Sequence, residues 1–248
     1  VCGSTQGIGK ATAMELALMG ANVTLIARDK NKLASVVSNL VTKQGQSHSY
    51  LCVDFSNTDE LRTKLKSIDT NYHILINNTG GPAGGPITEA NTESFENAFK
   101  MHLINNQILA QSVIPGMIKE GYGRIVNIIS TSVKAPIAGL GVSNTIRAAV
   151  ANWAKTLSLE LGEHGITVNN ILPGFTNTNR LKSIIAKKSE KQGISENEVI
   201  KTMMKSIPAN RFGEAQETAN AVAFLCSPAA SYINGINLPV DGGRTASL

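Results

Sequence analysis

The sequence has 248 residues, of which 42% are hydrophobic and 22 are glycine, and its formal net charge is +5. This length and composition predict one globular domain with a full core. The three cysteines, Cys2, Cys52 and Cys226, lie far apart without a C-x-x-C pair or a histidine at ligand spacing, so we expect neither disulfides nor a metal site. The mild charge, without interleaved arginines and aromatics, favours a solvated surface over a nucleic-acid partner.

Hydrophobic runs are too short to indicate a membrane protein. None approaches the roughly 20 residues needed to cross a bilayer, and no charged-then-apolar leader precedes the first glycine. We therefore expect a cytoplasmic protein without a membrane partner. The numbering starts two residues before the first motif glycine, so we expect the first strand to be truncated at its N-terminus.

Apolar runs of strand length alternate along the chain with longer segments at helical spacing. The predicted strands are residues 22–27, 48–53, 74–77, 124–129, 167–172 and 237–240. The predicted helices are residues 9–20, 30–44, 58–68, 92–119, 144–164 and 215–227. The strand at 74–77 has almost no polar alternation, which is typical of a strand covered by helices on both faces. The sequence therefore predicts a single-domain α/β fold, a Rossmann-like doubly wound parallel sheet.

A glycine-rich turn with the spacing G-x-x-x-G-x-G opens the chain. Such a turn leaves a strand tightly, brings backbone N–H groups close to a pyrophosphate and presents the positive end of a helix to it. Taken alone, the spacing more commonly marks a structural turn, but its position before a predicted helix favours a dinucleotide site. The predicted cofactor contacts here are Gly3, Ser4, Thr5, Gln6, Gly7, Ile8 and Gly9.

Arg28 follows the next predicted strand, about 20 residues after the glycine turn, where a group that contacts the adenine ribose is expected. An acidic residue there would bind the 2′-hydroxyl of NAD. An arginine favours the 2′-phosphate of NADP, because its planar fork forms charge-assisted hydrogen bonds to phosphate oxygens. The sequence thus predicts NADPH rather than NADH. The alternative is that Arg28 is only a surface charge before the helix at 30–44.

Further motifs follow in a fixed order. They are Asp54 at a strand end, Asn-Asn-Thr-Gly at 77–80, Gly-Arg-Ile-Val-Asn-Ile-Ile-Ser at 123–130, Val-Asn-Asn-Ile-Leu-Pro-Gly at 168–174, Arg-Phe-Gly at 211–213 and Val-Asp-Gly-Gly at 240–243. With the glycine turn, they make essentially the whole chain resemble the classical short-chain dehydrogenase/reductase family. The layout is most similar to that of the 3-oxoacyl carrier-protein reductases.

The resemblance implies further cofactor contacts. Asp54, with Phe55, would hold the adenine, and Asn78, Thr79 and Gly80 would line the adenosine side. Pro173 and Gly174 would lie beside the nicotinamide, and Thr178 would bond its carboxamide.

The resemblance also implies hydride transfer to a carbonyl, with a tyrosine as proton donor, a serine that polarises the carbonyl, a lysine on the nicotinamide ribose and an asparagine in a water relay. Ser130 matches the serine. Counting along the chain places Ser143 at the tyrosine, Arg147 at the lysine and His102 at the asparagine. The chain is therefore predicted to be a divergent member that lacks the Tyr-x-x-x-Lys motif.

Each replacement has a chemical consequence. Ser143 is a poor substitute acid, since its hydroxyl is far less acidic than a phenol and its side chain is shorter by a ring. Arg147 can hold the ribose and polarise, but with its usual pKa above 12 it cannot join a proton relay. His102 is the candidate proton source at neutral pH, and an equally acceptable interpretation is a structural hydrogen-bonding role.

Two functions stay open at this point. The first is an NADP-dependent oxidoreductase that acts on a small-molecule carbonyl or acyl substrate, and the second is an inactive nucleotide-binding or scaffold protein. Lysines in the predicted lid at 181–207 could attract an acidic carrier protein or an acyl-CoA phosphate, although a solvated helical face is the commoner interpretation. By family analogy we expect a homotetramer or homodimer, formed through the helices at 92–119 and 144–164.

Overall fold

The computed structural model describes residues 1–68 and 70–247 and contains a parallel central sheet. The strands are β1 (Thr24–Ala27), β2 (Ser49–Cys52), β3 (Ile74–Asn77), β4 (Gly123–Ile128), β5 (Ile166–Pro173), β6 (Thr176–Asn177), β7 (Gly213–Glu214) and β8 (Asn237–Val240). β1 pairs with β2, and a second group has the order β3-β4-β5-β8. Cys2 connects the two groups, because it bridges Ile26 and donates its backbone N–H to the Ile76 carbonyl at 3.0 Å.

Helices cover both faces of this sheet. They are α1 (Gly7–Leu18), α2 (Lys30–Ser38), α3 (Thr58–Leu65), α4 (Thr92–Phe99), α5 (Asn105–Glu120), α6 (Gly141–Leu161), α7 (Asn179–Gln192), α8 (Glu196–Lys205) and α9 (Ala215–Cys226). Buried side chains of α1, α2 and α9 share one apolar cluster, and those of α3, α5 and α6 share another. The predicted doubly wound α/β architecture is confirmed. In the described part of the chain, no helix combines the length and hydropathy that a bilayer span requires.

The predicted helix at 92–119 is interrupted. α4 and α5 are joined by a π-helical turn, Lys100–Ile104, which contains His102. Pro115 lies inside α5 and does not end the helix. The helix ends instead at Gly121, which adopts the left-handed conformation (φ 63°) that favours glycine.

The N-terminus of α6 also differs from the prediction. The helix begins at Gly141, and Asn144 lies within it rather than at its cap. The Asn144 side chain donates to the Ile137 carbonyl at 2.9 Å and so ties the first turn to the preceding loop. The extra turn places Ser143 on the helix, where its side-chain direction is fixed by helical geometry.

Four asparagines in matching register form a hydrogen-bonded row across the sheet. Asn77 donates to Asn127, Asn127 to Asn170, and Asn170 to Asn237, each at 2.9 Å. The first three side chains are buried. Because a strand slip would leave these amides unpaired in the core, the row specifies the alignment of β3, β4, β5 and β8.

The segment between β6 and β7 contains the predicted lid at 181–207 and lies outside the central sheet, while its role as a lid stays a prediction. It forms α7 and α8, which pack on each other through Leu181, Ile185, Val199 and Met203. The six lysines of this segment, Lys182, Lys187, Lys188, Lys191, Lys201 and Lys205, are all exposed. Residues at the start of α7 contact the central cleft described below.

Asn127→Leu tests the asparagine row. Leucine keeps a similar volume but leaves the buried amide of Asn77 and the carbonyl of Asn170 unpaired, so we expect a loss of about 3 kcal/mol in the free energy of unfolding. Chemical denaturation measures it. The control Asn220→Leu, at an exposed helical position, should change stability by less than about 0.5 kcal/mol. Equal, small losses in both variants would contradict the structural role of the row.

Candidate active site

A cleft of about 620 Å³ opens at the carboxyl ends of the strands, a size typical of a small-molecule site. Most predicted site residues line it: Gly3, Thr5, Gln6, Gly7, Ile8, Arg28, Asp54, Phe55, Asn78, Thr79, Gly80, Ser130, Ser143, Arg147, Pro173, Gly174 and Thr178. Three predicted residues, Ser4, Gly9 and His102, are buried and are not among the residues that line it. The cleft lies where the chain order of the strands reverses, the usual position of a ligand in such sheets.

The glycine turn presents the N-terminus of α1 to this cleft. Gln6 is the N-cap residue and its side chain makes no capping hydrogen bond, nor does the first turn of α1 contain an acidic residue. By contrast, Asp29 caps α2 by accepting from the Lys32 N–H. The uncapped N–H groups and the helix dipole of α1 therefore suit a pyrophosphate.

Asn78 supports the glycine turn from the neighbouring strand. Its Nδ2 lies 3.2 Å from the carbonyl oxygens of both Cys2 and Gly3. Gly3 has φ 57°, and a Cβ there would lie only 2.7 Å from Asn78, so only glycine permits this approach. Asn78 thus holds the turn in shape, while its predicted contact with adenosine stays a prediction.

Arg28 and Asp54 form the wall near the end of β1. Asp54 Oδ1 accepts from the backbone N–H and the hydroxyl of Ser56, both at 2.9 Å. These bonds, chiefly the one from the backbone N–H, and the nearby positive charge of Arg28 lower the pKa of Asp54. The Arg28 side chain is exposed and has no ion pair within 4.0 Å among the described residues, so its guanidinium is available to a ligand.

Thr178 is the N-cap residue of α7. Its hydroxyl accepts from the Leu181 N–H at 3.4 Å and donates to the Thr176 carbonyl at 3.2 Å. The short strands β6 and β7, absent from the prediction, hold this corner in place. The predicted bond from Thr178 to a carboxamide stays a prediction, because the hydroxyl proton already has an acceptor.

Ser130 and Ser143 face the cleft from different elements. Ser130 follows β4, and its Oγ accepts from the Ser132 N–H at 3.1 Å, which leaves its own proton free to donate. Ser143 lies in the first turn of α6. Both side chains are partly exposed to the cleft, so both can reach a bound substrate oxygen.

Arg147 is a buried cation at the base of the same region. Only 8% of its surface is exposed, and Nη1 donates to the Ile128 carbonyl at 3.0 Å. Burial, and then the charge of Arg180, lower the pKa of Arg147 to about 10. This is below the sequence expectation of more than 12, yet the guanidinium stays protonated at neutral pH. Its ribose-holding role stays a prediction.

His102 lies in the π-helical turn and is 2% exposed. Burial, together with the charge of Arg147, lowers the pKa of His102 to about 3. The ring is therefore neutral near pH 7 and does not line the cleft. A role for His102 as proton donor stays a prediction, and these features favour the structural interpretation.

The four tyrosines lie outside the residues that line the cleft. The hydroxyl of Tyr72 donates to Thr24 and that of Tyr122 to the Cys226 carbonyl. Tyr50 packs in the core against α1 and α2, and Tyr232 is fully exposed. None of these four tyrosines therefore places a phenol at this cleft. The described residues also contain no cluster of His, Cys, Asp or Glu suited to a metal.

Sequence reasoning missed two cationic residues of the cleft, Arg180 and Arg244. Arg180 starts α7 and donates to the Pro82 carbonyl at 2.9 Å. The Arg244 guanidinium stacks over the Phe175 ring at 4.3 Å. Their positions in the sequence could have identified them, because Arg180 lies two residues after Thr178 and Arg244 lies one residue after the Gly-Gly pair at 242–243.

Comparisons with known proteins identify relatives that match almost the whole chain. A family model described as Enoyl-(Acyl carrier protein) reductase matches residues 3–245. The NADPH-dependent reductase BacG of Bacillus subtilis is 30% identical over 100% of this chain and 97% of that protein. The 3-oxoacyl-(acyl-carrier-protein) reductase FabG of Escherichia coli is 31% identical over 98% and 95%. The L-sorbose reductase structure from Gluconobacter frateurii, complexed with NADPH and L-sorbose, is 28% identical with a TM-score of 0.92, covering 100% and 96%.

The low pKa of His102 predicts a pH dependence of stability. Between pH 6.5 and about 3 the unfolded chain binds a proton that the folded chain excludes, so stability falls as the pH is lowered through this range. At pH 5 the effect is about 2 kcal/mol. His102→Asn should therefore lose less stability than wild type between pH 7 and pH 5 in chemical denaturation. Equal losses in the two proteins would show that the ring is protonated in the folded state.

Proposed function

Because the chain belongs to the short-chain dehydrogenase/reductase family, we propose that it is an NADPH-dependent reductase that converts the carbonyl of a 3-oxoacyl group or related ketone to an alcohol. The observation that carries this proposal is the single cleft described above. Its wall includes the uncapped glycine turn and Arg28 as well as Ser130, Ser143 and Arg147. One ligand-sized space thus connects a dinucleotide site to polar groups suited to a carbonyl.

NADPH is the cofactor that fits the charges of the cleft. The N-terminus of α1 suits the pyrophosphate, and the unpaired Arg28 suits the 2′-phosphate. BacG is named as an NADPH-dependent reductase, and the L-sorbose reductase was crystallised with NADPH, which supports the same choice here. A bound nicotinamide would supply the hydride.

The chain supplies the electrostatic part of the reaction. Ser130 donates its free proton as a hydrogen bond to the substrate oxygen, and Arg147 provides positive charge where the oxygen becomes negative. Ser143 adds a second hydroxyl, on a side chain that is shorter than the tyrosine of the family. Since no tyrosine is among the described residues that line the cleft, water that enters the cleft donates the proton to the oxygen and leaves as hydroxide.

A second candidate function is a dinucleotide-binding protein without turnover. It is supported by the sequence prediction that Ser143, Arg147 and His102 replace three of the four family catalytic positions. NADPH titration followed by a screen with acetoacetyl-CoA, a cyclic ketone and a 2-oxo acid separates the two functions. Tight binding without oxidation of NADPH by any substrate class favours the second, and failure to bind either dinucleotide overturns both.

We also propose a homo-oligomer built through α5 and α6. Ile118 on α5 and Leu159 on α6 are exposed, as is Phe99 at the end of α4. Apolar side chains on these long helices would be covered by a second copy. Light scattering during size-exclusion chromatography tests this, and a monomer at micromolar concentration would overturn it.

Arg28→Ala tests the choice of cofactor. The variant loses charge-assisted bonds to the 2′-phosphate, so NADPH affinity should fall at least about tenfold while NADH affinity changes little. Fluorescence titration measures both. Lys30→Ala removes a neighbouring exposed charge outside the cleft and should keep the wild-type preference. An unchanged ratio of NADPH to NADH affinity in Arg28→Ala would overturn the assigned role.

Arg147→Ala tests the electrostatic step. Without the buried charge, kcat should fall about 10²-fold or more, as for the loss of one preorganised donor. Arg147→Lys keeps the charge and should recover part of the rate, which distinguishes catalysis from a folding defect. The readout is steady-state oxidation of NADPH with the best substrate of the screen. Wild-type kcat in Arg147→Ala would show that this charge does not act on the reacting oxygen.

A further inference from the structure

Positive charge in the cleft exceeds negative charge. Four arginines line it, whereas Asp54 is the only carboxylate among the lining residues and lies near Arg28. Arg147, Arg180 and Arg244 have no ion pair within 4.0 Å in the described ranges, 1–68 and 70–247. These three guanidinium groups therefore face a ligand space without a balancing protein charge.

Two of them converge on Gly81. A Cβ built on this glycine would lie 3.6 Å from Nη2 of Arg147 and 3.6 Å from Nη2 of Arg180. Arg147 is fixed by its bond to the Ile128 carbonyl, and Arg180 by its bond to the Pro82 carbonyl. Gly81, Arg147 and Arg180 all line the cleft, so a ligand in the cleft can approach both guanidinium groups.

Two guanidinium groups that approach the same glycine repel each other unless an anion lies nearby. Arg147 is buried, and the nearby charge of Arg180 adds to the desolvation that lowers its pKa. An anion between them would interact favourably with both charges, and a carboxylate has two oxygens that can each accept from one guanidinium.

The charges of the cofactor are already accommodated elsewhere. The pyrophosphate suits the first turn of α1, and the 2′-phosphate suits Arg28. Neither group needs Arg147 or Arg180. The remaining anion is therefore expected on the substrate.

We propose that Arg147, Arg180 and Gly81 form a carboxylate-binding cradle, and that the substrate is a small carboxylic acid with an apolar body. This rests on the proposed reductase function and narrows its substrate class. Apolar residues of the same cleft suit such a body: Met101, Ile137, Leu140, Phe175, Leu181 and Ile184. A 2-oxo acid fits best, because its carbonyl is bonded to the carboxylate and Ser130 lies two residues beyond the carbonyl that holds Arg147.

The test compares 4-methyl-2-oxopentanoate with its neutral methyl ester by calorimetry, on protein with and without NADP⁺. We expect the wild type to bind the acid at least about tenfold more tightly than the ester. Arg180→Gln should reduce this preference about tenfold. The matched control Lys182→Gln removes an exposed charge two residues along α7, outside the cleft, and should keep the preference.

Gly81→Ala gives a second variant that keeps both arginines. Its methyl group meets the two guanidinium groups at ordinary contact distance, so the fold is preserved while the space between them is filled. Acid affinity should fall several-fold, again with less effect on the ester.

Equal affinity of the wild type for acid and ester would overturn the proposal. An Arg180→Gln variant that loses NADP⁺ affinity but keeps its preference for the acid would also overturn the proposal. In that case the anion bound in the cradle would be a cofactor phosphate. An acid preference that depends on Arg180 in cofactor-free protein supports the cradle even if NADPH fails to bind. That outcome would overturn only the reductase function.

Discussion

The asparagine row across β3, β4, β5 and β8 is the interaction that the rest of the structure depends on. It pairs side chains at matching positions of four parallel strands inside an apolar core. Parallel strands that are buried on both faces have little alternation of polar and apolar residues, so this pattern does not specify the strand register. Directional hydrogen bonds between the asparagine amides specify it instead. The carboxyl ends of these four strands therefore have fixed positions relative to one another.

The cleft follows from that register. One residue beyond Asn77, Asn78 supports the glycine turn, and Ser130 follows three residues after Asn127. Three residues after Asn170, Pro173 closes β5 beside the cleft. The row thus lies just beneath the site and determines how far each functional side chain extends above the sheet. Core packing and site geometry are connected through the same four side chains.

The sequence predicted the architecture because it depends on local patterns, and it predicted half of the cleft residues through the glycine turn, Arg28 and the family resemblance. Periodic apolar runs identify the strands and helices, and the glycine turn and Arg28 follow from spacing along one βαβ unit. Two kinds of feature were missed. The π-helical turn at Lys100–Ile104 interrupts the predicted helix at 92–119. Arg180 follows β6 and Arg244 follows β8, so their approach to the cleft depends on tertiary structure that no local pattern encodes. A lone arginine in a polar stretch gives no such signal.

The catalytic region also differs from its sequence description in its electrostatics. His102 and Arg147 are neighbours in a buried environment, and the charge of Arg147 contributes to keeping the imidazole neutral. Arg147 is in turn influenced by Arg180, in the first turn of α7. Ser143 and Arg147 therefore line a cleft whose charge is mainly the permanent positive charge of arginines. A titrating phenol is not part of it.

The most direct measurement is a crystal structure of the protein with NADP⁺ and 4-methyl-2-oxopentanoate. We expect a dinucleotide in the cleft, with its 2′-phosphate bonded to Arg28 and its pyrophosphate at the first turn of α1. We also expect the acid with its carboxylate between Arg147 and Arg180 and its carbonyl oxygen beside Ser130. A dinucleotide bound outside this cleft, or a cleft that stays free of it at saturating concentration, would contradict the account.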